Sequence, residues 1–182
     1  MRNTKETYGW IAIALHWVMA IVIFGMFGLG IYMVELTYYD ALYKILPAIH
    51  KGFGVLLAMF LAIRILWRWT NPIPSPVAAS SALQNRLAIV LHRIFYLLIA
   101  AIIISGYLIS TADGSAISVF GLFSVPASIT GIPEQEDSAG FVHQYLAYAL
   151  IGLVVVHASA ALKHHFIDRD DTLLRILRVS RR

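Results

Sequence analysis

GFVHQYLAYALIGLVVVHASAALKHHF, residues 140–166, is an apolar segment long enough to cross a bilayer, with His143 near its start and His157 near its end. The fourteen-residue step from one to the other (157 − 143) advances an ideal helix by about 21 Å and returns it to within about 40° of its starting direction. Both imidazoles therefore project from one face, one near each side of a hydrocarbon core about 30 Å thick. Such a face calls for partners on other helices.

The rest of the chain supplies the setting. Of 182 residues, 59% are hydrophobic, gathered in long apolar runs rather than spread through a mixed pattern, so one integral membrane unit is expected. With no cysteine, disulfides, zinc–thiolate sites and iron–sulfur clusters are excluded, and metal or cofactor ligation falls to histidine. The net charge of +4 comes from basic residues flanking apolar runs, a membrane pattern that needs no nucleic-acid partner. No short apolar region with a small-residue cleavage site opens the chain, so the first helix is expected to be retained.

Four spans follow, at about 10–34, 46–69, 87–110 and 140–166. The fold class is an all-α, integral membrane four-helix bundle in a single domain, 1–182. Asn71-Pro-Ile-Pro-Ser-Pro separates the second and third spans, because proline lacks a donor and restrains its predecessor. The connection from Thr111 to Ala139 is expected to cover the bundle mouth and to contain a short helix. An amphipathic segment, Leu173-Leu174-Arg175-Ile176-Leu177, lies in a polar, basic tail.

Twelve Lys or Arg residues (Arg2, Lys5, Arg64, Arg68, Arg86, Arg93, Lys163, Arg169, Arg175, Arg178, Arg181, Arg182) fall on the side of the termini and only Lys44 and Lys51 on the other, which places both termini in the cytoplasm. Orientation then sets depth. His16, early in the outgoing first span, shares the inner level with His157, late in the returning fourth; His50 and His143 share the outer level. Facing imidazoles at one depth suit an iron porphyrin with two axial histidines, held inside a bundle. A single membrane histidine near a helix end is more often an interfacial hydrogen-bonder than a ligand. Four that pair by depth reverse that balance.

The same fourteen-residue step leads from His16 to Gly30, from His92 to Gly106 and from His50 to Arg64. Glycines at cofactor depth would let a macrocycle approach the backbone, and Arg64 would meet propionates at the inner level. His92 and Arg93 are further candidate propionate contacts, against simple packing and snorkelling; His92 has no opposite partner left. His164, seven residues past His157, lies about 10 Å deeper and about 20° off the same face, positioned to donate to a quinone carbonyl. His165 points elsewhere, to the interface. No phosphate loop, nucleotide fingerprint or nucleophile–base signature is present.

LHW at 15–17, IH at 49–50, RLAIVLHRIFYLL at 86–98, VHQYLAYALIGLVVVHASAALKHHF at 142–166 and the closing DRDDTLLRILR together resemble the bacterial cytochrome b561 family over nearly the whole chain. The similarity is greatest to its small four-helix members that oxidise superoxide and reduce ubiquinone. This resemblance implies two haem b groups, an inner one on His16 and His157 and an outer one on His50 and His143, with His164 at a cytoplasm-side ubiquinone site. It also implies a multi-pass protein of the bacterial inner membrane. In one respect the chain departs from the pattern: its outer segments carry Glu35, Asp40, Asp113, Glu134, Glu136 and Asp137 against Lys44 and Lys51 (2 − 6 = −4). Local charge governs steering, so Lys44 and Lys51 beside His50 are the residues expected to draw in superoxide.

The expected activity is therefore superoxide:quinone oxidoreduction by a di-haem b protein. Its main rival is a cytochrome b that anchors and relays electrons for a dehydrogenase or hydrogenase partner. A remote rival is a histidine-lined transporter of protons or divalent metal.

Overall fold

A computed structural model describes residues 2–77 and 81–178. Its elements are α1 (Trp10–Val34), α2 (Ile45–Thr70), α3 (Ala82–Thr111), β1 (Ile117–Val119), β2 (Phe123–Val125), α4 (Gln135–Phe166) and α5 (Leu174–Leu177). The first four α-helices are each long and apolar enough to cross a membrane. Apolar side chains cover their outsides, Ile21 at 69% and Leu97 at 70% exposure among them, as expected where lipid rather than water is the solvent.

Two helices are longer than their apolar runs suggest. α3 starts at Ala82 because Ser81 and Gln84 form a reciprocal capping box, each side chain meeting the other residue's backbone amide. α4 starts at Gln135, with Glu136 and Asp137 in its first turn, where acidic side chains favour the helix dipole. The connection before it contains no helix among the described residues. It holds an antiparallel hairpin instead, pairing Ile117 with Val125 and Val119 with Phe123. Phe120 and Gly121 turn it with φ of 50° and 74°.

This hairpin closes one end of the bundle, as expected for the connection. Val119 is 1% exposed, and the Phe120 ring lies against Gly52 and 5.3 Å from the Phe53 ring of α2. Gln135 Nε2 donates to the carbonyls of Leu108 and Ile129 at 2.9 and 3.1 Å, tying the loop to α3.

At the opposite end the described segments nearest the two termini come together on residues 72–75. Asn3 donates to the Pro72 carbonyl at 3.1 Å, and the Ser75 amide donates to the Lys5 carbonyl at 2.9 Å. Arg175 donates to the Ser75 carbonyl at 2.7 Å, while Trp17 Nε1 donates to the Ile176 carbonyl at 2.8 Å. The amphipathic tail thus lies across this terminal end. Arg181 and Arg182, counted for orientation, fall outside the described residues.

Backbones pack closely between α3 and α4, α1 and α2, and α2 and α3. No comparable packing joins α4 to α1 or α2. A buried apolar layer of Met19, Leu57, Leu61, Ile99 and Leu150 occupies mid-bundle, drawing on all four long helices. Leu150 is seven residues from both His143 and His157 (150 − 143; 157 − 150), so the layer divides two histidine levels.

Candidate functional site

Each level holds a pair of facing imidazoles. At the terminal end the ring centroids of His16 and His157 are 6.4 Å apart; at the hairpin end those of His50 and His143 are 6.2 Å apart. One metal bound by two imidazole nitrogens at about 2 Å each separates the ring centroids by about 6 Å. Both pairs bridge from α4 to α1 or α2, the helices that lack close backbone contact with it among the described residues.

His143 is held in a defined tautomer. Its Nδ1 lies 2.9 Å from the Ile102 carbonyl and 3.2 Å from Ser105 Oγ, whose own hydrogen bonds run to the carbonyls of Ala101 and Ile102. A carbonyl only accepts, so Nδ1 carries the proton and Nε2 keeps a free lone pair for a metal. Opposite, His50 Nδ1 is buried without a hydrogen-bond partner, an atom that a bound group or ordered water would satisfy. The imidazole donors, facing in pairs at a two-nitrogen metal spacing, fit an iron porphyrin.

The glycines sit against the histidine rings themselves. A Cβ on Gly30 would lie 3.4 Å from His50 Cε1, and one on Gly106 would lie 3.1 Å from His143 Cε1. α1 and α3 thereby leave room for the imidazoles of α2 and α4 at the hairpin end.

Around the terminal pair the cluster is larger than depth alone suggests. His92 does have a neighbour: its ring centroid is 5.6 Å from that of His157, edge to face, and Phe95 stands 5.5 Å from the same ring. His92 lies on α3, which packs directly on α4, so it approaches His157 from the closely packed side of that helix. Arg64 reaches this level, donating to Tyr96 Oη at 3.2 Å and to His16 Nδ1 at 3.3 Å. Arg68 lies over the Tyr96 ring, 6.0 Å from its centroid. Arg93 is exposed and is not brought into the cluster.

Lys44 and Lys51 are exposed at the hairpin end of α2. Asp113 lies near Lys51; hydrogen bonds from the Ser115 amide and hydroxyl, with a smaller contribution from the Lys51 charge, hold its carboxyl below the usual range. The charge of Lys51 is thus partly offset.

At the end of α4, His164 Nδ1 contacts Asp170 Oδ2 at 2.7 Å and Asp168 Oδ2 at 3.2 Å. Sequence reasoning assigned no role to Asp170, Ser105, Tyr96 or Ile102. Asp170 stands in an acidic turn directly after the histidines, a legible signal, whereas the Ile102 carbonyl is backbone and leaves none.

Residues 7–178 match the family model described as prokaryotic cytochrome b561. The chain is 52% identical over 175 residues to "Cytochrome b561 homolog 2" of Escherichia coli (strain K12), covering 96% of this chain and 93% of that protein. It is 30% identical over 173 residues to "Probable superoxide oxidase CybB" of Yersinia pestis, covering 94% and 96%. It is 29% identical over 137 residues to "Cytochrome b561 homolog 1" of E. coli K12, covering 74% and 76%.

Proposed function

The chain belongs to the prokaryotic cytochrome b561 family, membrane proteins that transfer electrons on haem b, and from that premise we propose that it oxidises superoxide at the hairpin end and reduces ubiquinone at the terminal end. The observation that carries this reading is the pair of facing imidazole pairs at opposite ends of one bundle, divided by an apolar layer. Family membership sets aside the haem-free transporter reading. Superoxide as the donor draws support from the relative named as a probable superoxide oxidase. The distribution of Lys and Arg supports a terminal end in the bacterial cytoplasm and a hairpin end outside the inner membrane.

His16 and His157 would hold one haem b, and His50 and His143 the other. When bound, these groups supply reversible one-electron chemistry that joins a one-electron donor to a two-electron acceptor. The net reaction converts two superoxide anions, one quinone and two protons into two dioxygen molecules and one quinol. The chain's own contribution is orientation and exclusion. The Ile102 carbonyl keeps the His143 proton on Nδ1. Arg64 donates to His16 Nδ1; were Nε2 to hold iron, Nδ1 would carry its own proton and Arg64 would be the cation available to anionic propionates. The apolar layer around Leu150 keeps water out of the path between levels. Lys51 attracts an anion toward His50, and His164 offers its ring to the quinone.

Purified holoprotein provides the test. Two haems b per chain are expected, with quinol forming when superoxide is generated beside ubiquinone. Two haems without quinol formation above the protein-free rate would overturn superoxide as donor. That result would favour the relay reading, in which the acidic hairpin end, with Leu122 at its tip 82% exposed, docks a dehydrogenase or hydrogenase.

A further inference from the structure

A histidine–carboxylate pair lies outside both facing pairs, where α4 ends. Its carboxylate, Asp170, has a side chain only 5% exposed, with Oδ2 2.7 Å from His164 Nδ1. Oδ1 receives the Thr172 amide at 2.8 Å, and the Asp170 amide donates back to the His164 carbonyl at 3.0 Å. Arg169 makes this reversal possible by adopting a left-handed conformation, φ 54°, that non-glycine residues reach only when their surroundings impose it. Asp168 is placed differently. It is 27% exposed and already engaged by Lys163 Nζ at 2.6 and 2.8 Å. The buried Asp170 is therefore the carboxylate that His164 orders against.

We propose that Asp170 is a positioning residue for quinone reduction: it fixes the His164 proton on Nδ1 and leaves Nε2 as the nitrogen that exchanges a proton with a quinone carbonyl oxygen. This rests on His164 being the quinone contact. A carboxylate only accepts, so Nδ1 keeps its hydrogen throughout. Nε2 joins no hydrogen bond among the described residues. The His164 side chain retains 16% exposure, and on this proposal water returns the proton that Nε2 gives up. In the transfer an Nε2–H bond breaks and an O–H bond forms; electrons come from the haem b that the family carries. Two such deliveries accompany two electrons into one quinol. The segment bearing Asp170 is also fixed against the terminal pair, because the Trp17 ring stands 5.4 Å from the His16 ring while its Nε1 holds the Ile176 carbonyl at 2.8 Å.

The test is reoxidation of the reduced holoprotein, followed by haem absorbance, with ubiquinone-1 or with ferricyanide, which takes an electron without a proton. His164→Gln and Asp170→Ala should each slow the quinone reaction at least about tenfold and leave the ferricyanide reaction, haem content and haem spectrum unchanged. The double variant should be no slower than His164→Gln. If His164→Gln is slow and Asp170→Ala is not, the role of Asp170 is overturned while the quinone site stands. If His164→Gln is unaffected, the quinone reading itself fails. Should Asp170→Ala bind less haem, Asp170→Asn replaces it, again expected to slow quinone alone; equal slowing with both acceptors overturns the proposal.

Discussion

His143 Nδ1 lies 2.9 Å from the Ile102 carbonyl oxygen, a contact between α4 and α3 that decides which ring nitrogen is protonated. The side chain that faces α2 across the bundle is thus oriented by the helix behind it. The closest backbone packing, between α3 and α4, holds one side of α4 and leaves the side that faces α1 and α2 less tightly packed.

Haem stoichiometry should separate the two levels. His157→Ala is expected to lose about one haem of two and keep the His50/His143 site, while His143→Ala loses the other. His92→Ala should retain both, since its position between closely packed helices makes it a neighbour of His157 rather than an opposite ligand. Haem content of the three purified variants decides this.

Gly106→Ala places a methyl group 3.1 Å from His143 Cε1 and 3.3 Å from Nδ1, so the ring must shift against its Ile102 anchor. The expected outcome is lower occupancy of the hairpin-end haem and a loss of roughly 1 to 3 kcal/mol in stability. Gly25→Ala, with nothing within 4 Å of the new Cβ, is the matched control and should leave the spectrum unchanged.

Gly52→Ala brings a Cβ to 2.7 Å from Phe120 Cζ, which displaces the hairpin that covers this end. Limited proteolysis should cut residues 117–125 faster in the variant. Combining it with Phe120→Ala should restore most of the protection, because the clash disappears.

Lys51→Glu reverses a positive charge next to His50 of the hairpin-end pair and leaves Asp113 unopposed. The second-order rate of haem reduction by superoxide should fall by about tenfold at low salt, with a smaller difference at high salt. Stopped-flow rates across ionic strength measure it; equal rates would remove Lys51 from steering.

Acid should release the tail before it unfolds the bundle. Burial acts to raise the Asp170 carboxyl, but hydrogen bonds from the Thr172 hydroxyl and amide and from His164 outweigh it, leaving the group below its ordinary 3.8. A depressed carboxylate contributes stability in full above the ordinary value and loses it as pH falls through the folded value. Docking of residues 168–177 should therefore hold at pH 5 and weaken below about pH 4. Trp17 fluorescence reports it through the Ile176 hydrogen bond, and Asp170→Asn should abolish the pH dependence in that window.

Much of the bundle was legible without coordinates. Apolar run lengths located four spans, and the histidine spacing sorted His16 with His157 and His50 with His143 by depth. The missed helix starts were local: the Ser81–Gln84 capping box is present in the residues, and α4 extends through acids that read as loop. The hairpin was not legible, because Ile117–Val119 and Phe123–Val125 are too short to show a period and are stabilised by seating on α2. Nor is the lateral neighbour of Gly106 legible: a Cβ there would meet the His143 ring, a contact set by how α3 packs on α4.

Depth along the bundle is a property of the chain alone, since rise per residue and span direction are set by backbone geometry and flanking charge. Lateral neighbours are not. Four helices of similar apolar surface can be arranged around one another in several ways, and only their packing places α3 against α4 and leaves α1 and α2 facing it across the histidines. That arrangement makes His92 a side neighbour, brings Arg64 to His16, and turns the chain back after Phe166 so that Asp170 meets His164.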